Sequence, residues 1–177
     1  AYVKAPQTGM HKWIVSFDLN SLYPHLIMQY NISPETILGT WKDDIGVDGL
    51  VNREFDTSTW KQKDITVTPN GSVYRRDKQG FLPKLMESMY NDRVTYKKLM
   101  IEEQKKGRNS DPNKLSQYYN YQQNLKIALN SAYGAMGNQW FRYYDERNAE
   151  AVTAAGQLSI QWAENAVNSY LNTTLGT

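Results

Sequence analysis

An apolar run that meets a carboxylate and then a proline-bearing first turn leaves few choices of local fold. Trp13-Ile14-Val15-Ser16-Phe17 is β-branched and aromatic, and reads as a buried strand. Asp18-Leu19-Asn20-Ser21-Leu22-Tyr23-Pro24 follows it directly. Proline is tolerated in the first turn of a helix, where its missing N–H would have had no partner. Ser21 is a residue type that caps helices. The spacing therefore predicts a strand-to-helix junction, with Asp18 at the strand end and Ser21 capping a helix over 22–30. Such a junction sets an acidic side chain beside backbone N–H groups, which suits a hard cation and a phosphate. A strand that merely ends in a capping aspartate is the plainer alternative.

Downstream, residues 31–36 read as a loop, because Ser33-Pro34 opposes helix continuation. From Leu38 to Gln79 short β-like pieces alternate with polar and glycine breaks. Ile65–Thr68 and Ser72–Arg75 flank Pro69-Asn70-Gly71, a hairpin signal. The acid-rich stretch Lys42–Trp60, and residues 40–62 more broadly, suggest no chemistry. From Gly80 the periodicity becomes helical, with Leu85, Met89, Tyr96, Leu99 and Met100 near one face. A polar break at 107–113 precedes a second helix from about Pro112 to Tyr133, closed by Gly134, Gly137 and Asn138. The two together predict an antiparallel helical hairpin. A bend or strand near Trp140–Tyr144 and a last helix from about Arg147 to Leu171 complete the chain. In that helix Val152, Ala155, Ile160, Ala163, Val167 and Tyr170 are expected to pack on the sheet.

Charge concentrates on the hairpin. Between Lys84 and Lys126 stand nine lysines and arginines against five acids, although the whole chain carries only +2. Lys126, Asn130 and Tyr133 fall at i, i+4 and i+7 and share a face, as do Arg93 and Lys97 at i and i+4. If the hairpin turns both faces to one side, the cations converge on a point fit for a polyphosphate. Lys98, Lys105, Lys106, Arg108 and Lys114 read instead as solvated surface. The chain has no cysteine, so disulfides and thiolate metal sites are excluded and a metal must use oxygen or histidine. His11 and His25, the only histidines, read as structural. Hydrophobic residues make up 40% of the 177, enough for a core, and no apolar run approaches the roughly 20 residues of a membrane span.

The string Asp18–Pro24 resembles the DxxSLYP motif of the family B (polymerase-alpha-like) DNA polymerases. Lys126-Ile127-Ala128-Leu129-Asn130-Ser131-Ala132-Tyr133-Gly134 resembles the KxxxNSxYG motif of the same family, and residues 91–98 follow a looser NDRxxxKK pattern. The flanking NISPET and GAMGN look most like replicative polymerases of tailed bacteriophages. The resemblance covers essentially the whole chain, which would be part of a longer protein with cut ends.

The resemblance implies an α+β fold: a partial palm, built of antiparallel sheet and packed helices, with an inserted helical-hairpin fingers subdomain. Residues 1–79 would be the N-terminal part of the palm, 80–138 the fingers and 139–177 the C-terminal part of the palm. It implies template-directed DNA synthesis, in which Asp18 is a catalytic carboxylate and, with the Leu19 carbonyl, a ligand of Mg²⁺, two ions serving the complete enzyme. Ser21 and Leu22 would give backbone N–H groups to the triphosphate of the dNTP. Tyr23 would lie under the deoxyribose and exclude a 2′ hydroxyl. Arg93, Lys97, Lys126 and Asn130 would hold the triphosphate, and Tyr133 and Gly134 would meet the nascent base pair. The expected partners are primer-template DNA, dNTP and the remainder of the polymerase, in the (host) cytoplasm and without a membrane. The third motif, a DTD-type turn with the second carboxylate, does not occur in these residues, and Asp145 lacks its context. A subunit of a split polymerase, active only with a partner chain, is one alternative; a non-catalytic nucleic-acid-binding module is another.

Overall fold

The computed structural model describes residues 2–41 and 45–176. Helix α1 spans Leu22–Tyr30, the expected bounds. It ends at Asn31, whose left-handed backbone (φ 58°) turns the chain sharply. Asn31 also fastens distant segments. Its Nδ2 donates to the carbonyls of Arg75 and Lys78, and its Oδ1 accepts from Gly80 N–H at 2.8 Å. One short side chain thus joins the end of α1 to the base of the later hairpin.

Strand β1 (Ile37–Thr40) is followed by two short helices, α2 (Val47–Val51) and α3 (Ser58–Gln62). The alternation expected to give only β-like pieces there gives helical turns as well. Part of the acid-rich stretch, residues 42–44, lies outside the described residues. Strands β2 (Ile65–Val67) and β3 (Ser72–Arg75) form the anticipated hairpin, and Gly71 at its tip takes φ 81°, open to glycine at no steric cost. The sheet is antiparallel in the order β1-β3-β2. Thr66 faces Tyr74, and Val67 faces Val73.

Because side chains alternate along a strand, Val73 and Tyr74 serve opposite faces. Val73 joins Ile45 and Val67 in a small core lined by Trp41, Leu50, Phe55 and Trp60. Tyr74 is fully buried in the main core with Ile27, Ile32, Leu82, Met86, Leu129 and Val152. Its hydroxyl donates to Asn148 Oδ1 at 2.7 Å, so the buried phenol keeps a partner.

Helices α4 (Phe81–Lys105) and α5 (Pro112–Met136) are the hairpin, joined through a 3₁₀ turn at Gly107–Asn109. Its base enters the main core through Leu82, Met86, Leu129 and Met136. Leu85, expected inside, is exposed, and Met86 takes its place. Gly134 does not stop α5: the helix runs on to Met136 and ends at Gly137. Residues 138–144 form turns rather than a strand.

Helix α6 (Glu146–Leu175) starts at Asp145, which accepts from Arg147 N–H. The Arg147 guanidinium beside it holds the Asp145 carboxyl below the usual carboxylate range. Val152 and Ala155 are buried, but Ile160 and Tyr170 are exposed. Only the first half of α6 is therefore core, and it packs mainly on α1 and α2 rather than on the sheet. The arrangement as a whole is α+β, as anticipated. Among the described residues no helix is long and apolar enough to cross a membrane.

Candidate nucleotide site

The strand expected over 13–17 does not form. Residues 14–19 take no regular secondary structure, and none of them belongs to the three strands of the sheet. A strand, unlike a helix, satisfies its backbone only through a neighbour. The segment lies near α6 instead, where Trp13, Val15 and Phe17 line a groove with Ile160 and Ala163; further upstream, Tyr2 and Lys4 both donate to Glu164. Trp13, Ile14, Val15 and Phe17 are 71–98% exposed. Asp18 accordingly stands at no strand end. It is exposed, has no hydrogen-bond or ion-pair partner among the described residues, and lines a groove with Phe17, Leu22, Ile160 and Val167. Leu19 shares that groove.

Ser21 departs from expectation in another way. Its side chain caps no helix N–H, because its own backbone is left-handed (φ 51°, ψ 47°). A non-glycine residue there is strained and must be held by its surroundings. Three groups do so. His25 donates to the Ser21 carbonyl through its backbone N–H and through Nδ1, at 3.2 and 2.9 Å. The Ser21 hydroxyl donates to Asn20 Oδ1 and accepts from Arg93 Nη1, both at 3.2 Å. His25 also meets Tyr90 edge to face, with ring centroids 4.6 Å apart. Tyr90 and Arg93 are neighbours on α4, so the turn before α1 is clasped to the hairpin.

Arg93 is the pivot of this arrangement. Its Nε is buried without a hydrogen-bond partner. With Lys97, Asn20 and Tyr90 it lines a cavity of about 490 Å³ that also takes in Lys98, Lys105 and Glu102. Four cations against one acid make this cavity electropositive. Lys98 and Lys105, read from sequence as plain surface, belong to it, and so does Asn20. Ile101 lies at i+3 from Lys98 and at i−4 from Lys105, spacings that could have shown the shared face.

On α5, Tyr133 packs against Tyr23 of α1, with ring centroids 4.7 Å apart at 51°. Burial pushes the Tyr133 phenol up, and Tyr23 adds to the effect. Directly after Tyr133 on α5, Gly134 faces open space: a Cβ built there would meet nothing within 4 Å. Lys126 and Asn130 are exposed, toward the hairpin tip from Tyr133, and no hydrogen bond or ion pair joins them to Arg93, Lys97 or Asp18 among the described residues. The two candidate stripes thus approach the same short turn from two helices, α4 through Arg93–Ser21 and α5 through Tyr133–Tyr23. Lys126 and Asn130 extend the second stripe without closing on the first.

No group of three acid or imidazole side chains that could hold a metal ion occurs among the described residues. His11, whose Nε2 lies 3.1 Å from the Gln7 carbonyl, and Asp145, occupied as a helix cap, stand in local structural roles.

Comparison with known proteins agrees with the motifs. The family described as DNA polymerase family B matches residues 1–176. The DNA-directed DNA polymerase of Escherichia phage RB69 is 33% identical, and that of Enterobacteria phage T4 is 34% identical. Each alignment covers all of this chain and 24% of the relative, so the chain spans about a quarter of their length. DNA polymerase 1 of Pyrococcus abyssi is 34% identical over 95% of the chain. The solved family B DNA polymerase of Pyrobaculum calidifontis superposes with a TM-score of 0.60 at 25% identity, over 84% of this chain and 17% of its own.

Proposed function

The chain belongs to DNA polymerase family B, and on that premise we propose that it is a palm-and-fingers segment of an enzyme that extends a DNA primer from dNTPs. In this reading residues 1–79 and 139–177 belong to the palm and 80–138 are the fingers. The observation that carries it is the clasp of Arg93 to the turn after Asp18. Two motifs 70 residues and more apart in sequence meet through one guanidinium, and that guanidinium keeps a buried donor unpaired at a cationic cavity. An unpaired buried donor is costly unless a ligand completes it.

In this site the Ser21 and Leu22 N–H groups, at the start of α1, receive phosphate oxygens. Arg93 and Lys97 approach from α4, and Lys126 and Asn130 from α5 once the fingers close, a motion that accounts for their separation here. Tyr23 lies under the deoxyribose, and Tyr133 with Gly134 faces the nascent pair. The Asp18 carboxylate, without a partner among the described residues, suits a hard cation, and the Leu19 carbonyl would be a second ligand. Mg²⁺, when bound, would favour the primer hydroxyl as nucleophile and offset charge on the leaving pyrophosphate. One carboxylate fits only a site shared with another segment, so the second acid and the grip on primer-template DNA come from the remainder of the polymerase. The enzyme would work where phage DNA is copied, in the host cytoplasm.

The test uses the complete polymerase. Asp18→Ala is expected to cut primer extension by on the order of a thousandfold or more, with primer-template binding retained. Tyr23→Ala is expected to keep extension and to admit ribonucleotides. The segment alone is expected to extend no primer. Steady extension by the Asp18 variant would overturn the reading.

A further inference from the structure

Gly156 sits in the interior of the long helix α6, after Ala154 and Ala155. Among residues other than proline, glycine is the least favourable in a helix interior. Its backbone is helical, so no turn explains it. Its position does explain it. Gly156 is buried, and a Cβ built on it would lie 3.2 Å from Tyr23 Cε1, 3.7 Å from Leu26 Cδ1 and 3.9 Å from Leu22 Cδ2. The first contact is closer than side-chain packing ordinarily allows. Tyr23 therefore lies back against bare helix backbone, while Tyr133 of α5 touches the same ring.

We infer that Gly156 is a positioning residue for sugar selection: the missing side chain on α6 sets how far the Tyr23 ring sits back, and hence how much room the nucleotide sugar has. The inference rests on the reading of Tyr23 as the residue under the deoxyribose. A methyl group at 156 has one flexible neighbour to displace, the far edge of that ring, since Leu22 and Leu26 remain at ordinary contact distance. The ring then moves off α6 by a few tenths of an ångström, and the space above it narrows. A ribose, bulkier by one hydroxyl, loses more from this than a deoxyribose does.

The experiment compares Gly156→Ala, Tyr23→Ala and the double variant in the complete polymerase. The readout is the ratio of kcat/KM for a ribonucleotide to that for the matching deoxynucleotide. Gly156→Ala is expected to lower the ratio by roughly threefold to tenfold, the scale of small misplacements near a reacting centre. Because the methyl acts through the ring, it is expected to have no effect on the ratio in the Tyr23→Ala background. An unchanged or raised ratio in Gly156→Ala overturns the inference, as does an equal effect with and without the Tyr23 ring. If Tyr23→Ala itself fails to admit ribonucleotides, the sugar-site reading fails first, and the two failures are told apart. Because both kcat/KM values scale with the folded fraction of enzyme, poor folding of Gly156→Ala cancels from the ratio and the expectation stands.

Discussion

The helical hairpin and the segment 13–19 carry the two halves of the candidate site, and they hold their shape by opposite means. The hairpin is closed on itself. At its tip the buried Glu103 accepts from Lys106 Nζ at 2.6 Å and from Asp111 N–H at 2.7 Å. Asp111 in turn caps α5 through Asn113 and Lys114. Along the shaft Tyr96 stacks on Tyr121, with centroids 4.9 Å apart. Beyond their first turns both helices donate their backbone N–H groups within the helix itself. The segment 13–19 has none of this: its backbone forms no helix and no strand of the sheet, and its large apolar side chains are exposed. A helix is a local structure, whereas a strand is a relation between two stretches of chain. Asp18, the carboxylate proposed to hold the cation, hangs on the second kind.

Hydrogen exchange is the largest expected contrast. In the isolated chain, amides of 14–19 should exchange at nearly unprotected rates, and those of 84–104 and 116–132 on the order of a thousandfold more slowly or beyond. In the complete polymerase the amides of 14–17 should become protected, because an exposed apolar edge is a template for a pairing strand. Equal protection of the two regions in the isolated chain would break the comparison.

Side-chain truncation gives the next largest effect. Leu129 is 1% exposed and ties the hairpin to α1. Leu129→Ala should cost about 3–4 kcal/mol in urea unfolding of this chain. Ile14→Ala, at a position 77% exposed, should change stability by less than about 0.5 kcal/mol. A large loss at Ile14 would mean that the segment is packed after all.

The same division explains what could be read in advance. Helices α1, α4 and α5 and the β2–β3 hairpin follow from local signals: Pro24 in a first turn, apolar spacing along 81–105, and Pro69-Asn70-Gly71 between β-branched runs. The run 13–17 carried an equally good strand signal, but pairing is not written in the run itself. The outer half of α6 shows the same limit, because Ile160 and Tyr170 keep a core-like period and yet are exposed. Ser21 was expected to cap by type, yet its left-handed backbone is imposed by His25, Asn20 and Arg93, the last of these 72 residues away. Asn31 and Gly156 were missed. A glycine amid alanines in a helix was a readable anomaly, but only the fold identifies Tyr23 as its neighbour.

The smallest effect lies where the hairpin is seated. Glu35, in the loop after α1, accepts from Phe81 N–H at the start of α4 and from the Ser33 hydroxyl. Partial burial pushes its carboxyl up, but the Ser33 hydroxyl and the Phe81 N–H outweigh that and hold it below its ordinary value of 4.5. A carboxylate depressed in the folded state adds stability that is present in full above its unfolded value and is lost as pH falls through the folded one. The contribution should therefore be complete at neutral pH and fade below about pH 4.5, the ordinary value from which the shift runs. Glu35→Gln keeps the shape and removes the charge at the helix N-terminus, a loss of about 0.5–1 kcal/mol at pH 7. Urea midpoints of the two proteins should converge as pH is lowered below 4.5, through the depressed folded value. If the gap stays constant with pH, Glu35 acts through contact alone. The hairpin would then be seated by Asn31 and the core, and the charge at its first turn would be incidental to how it meets α1.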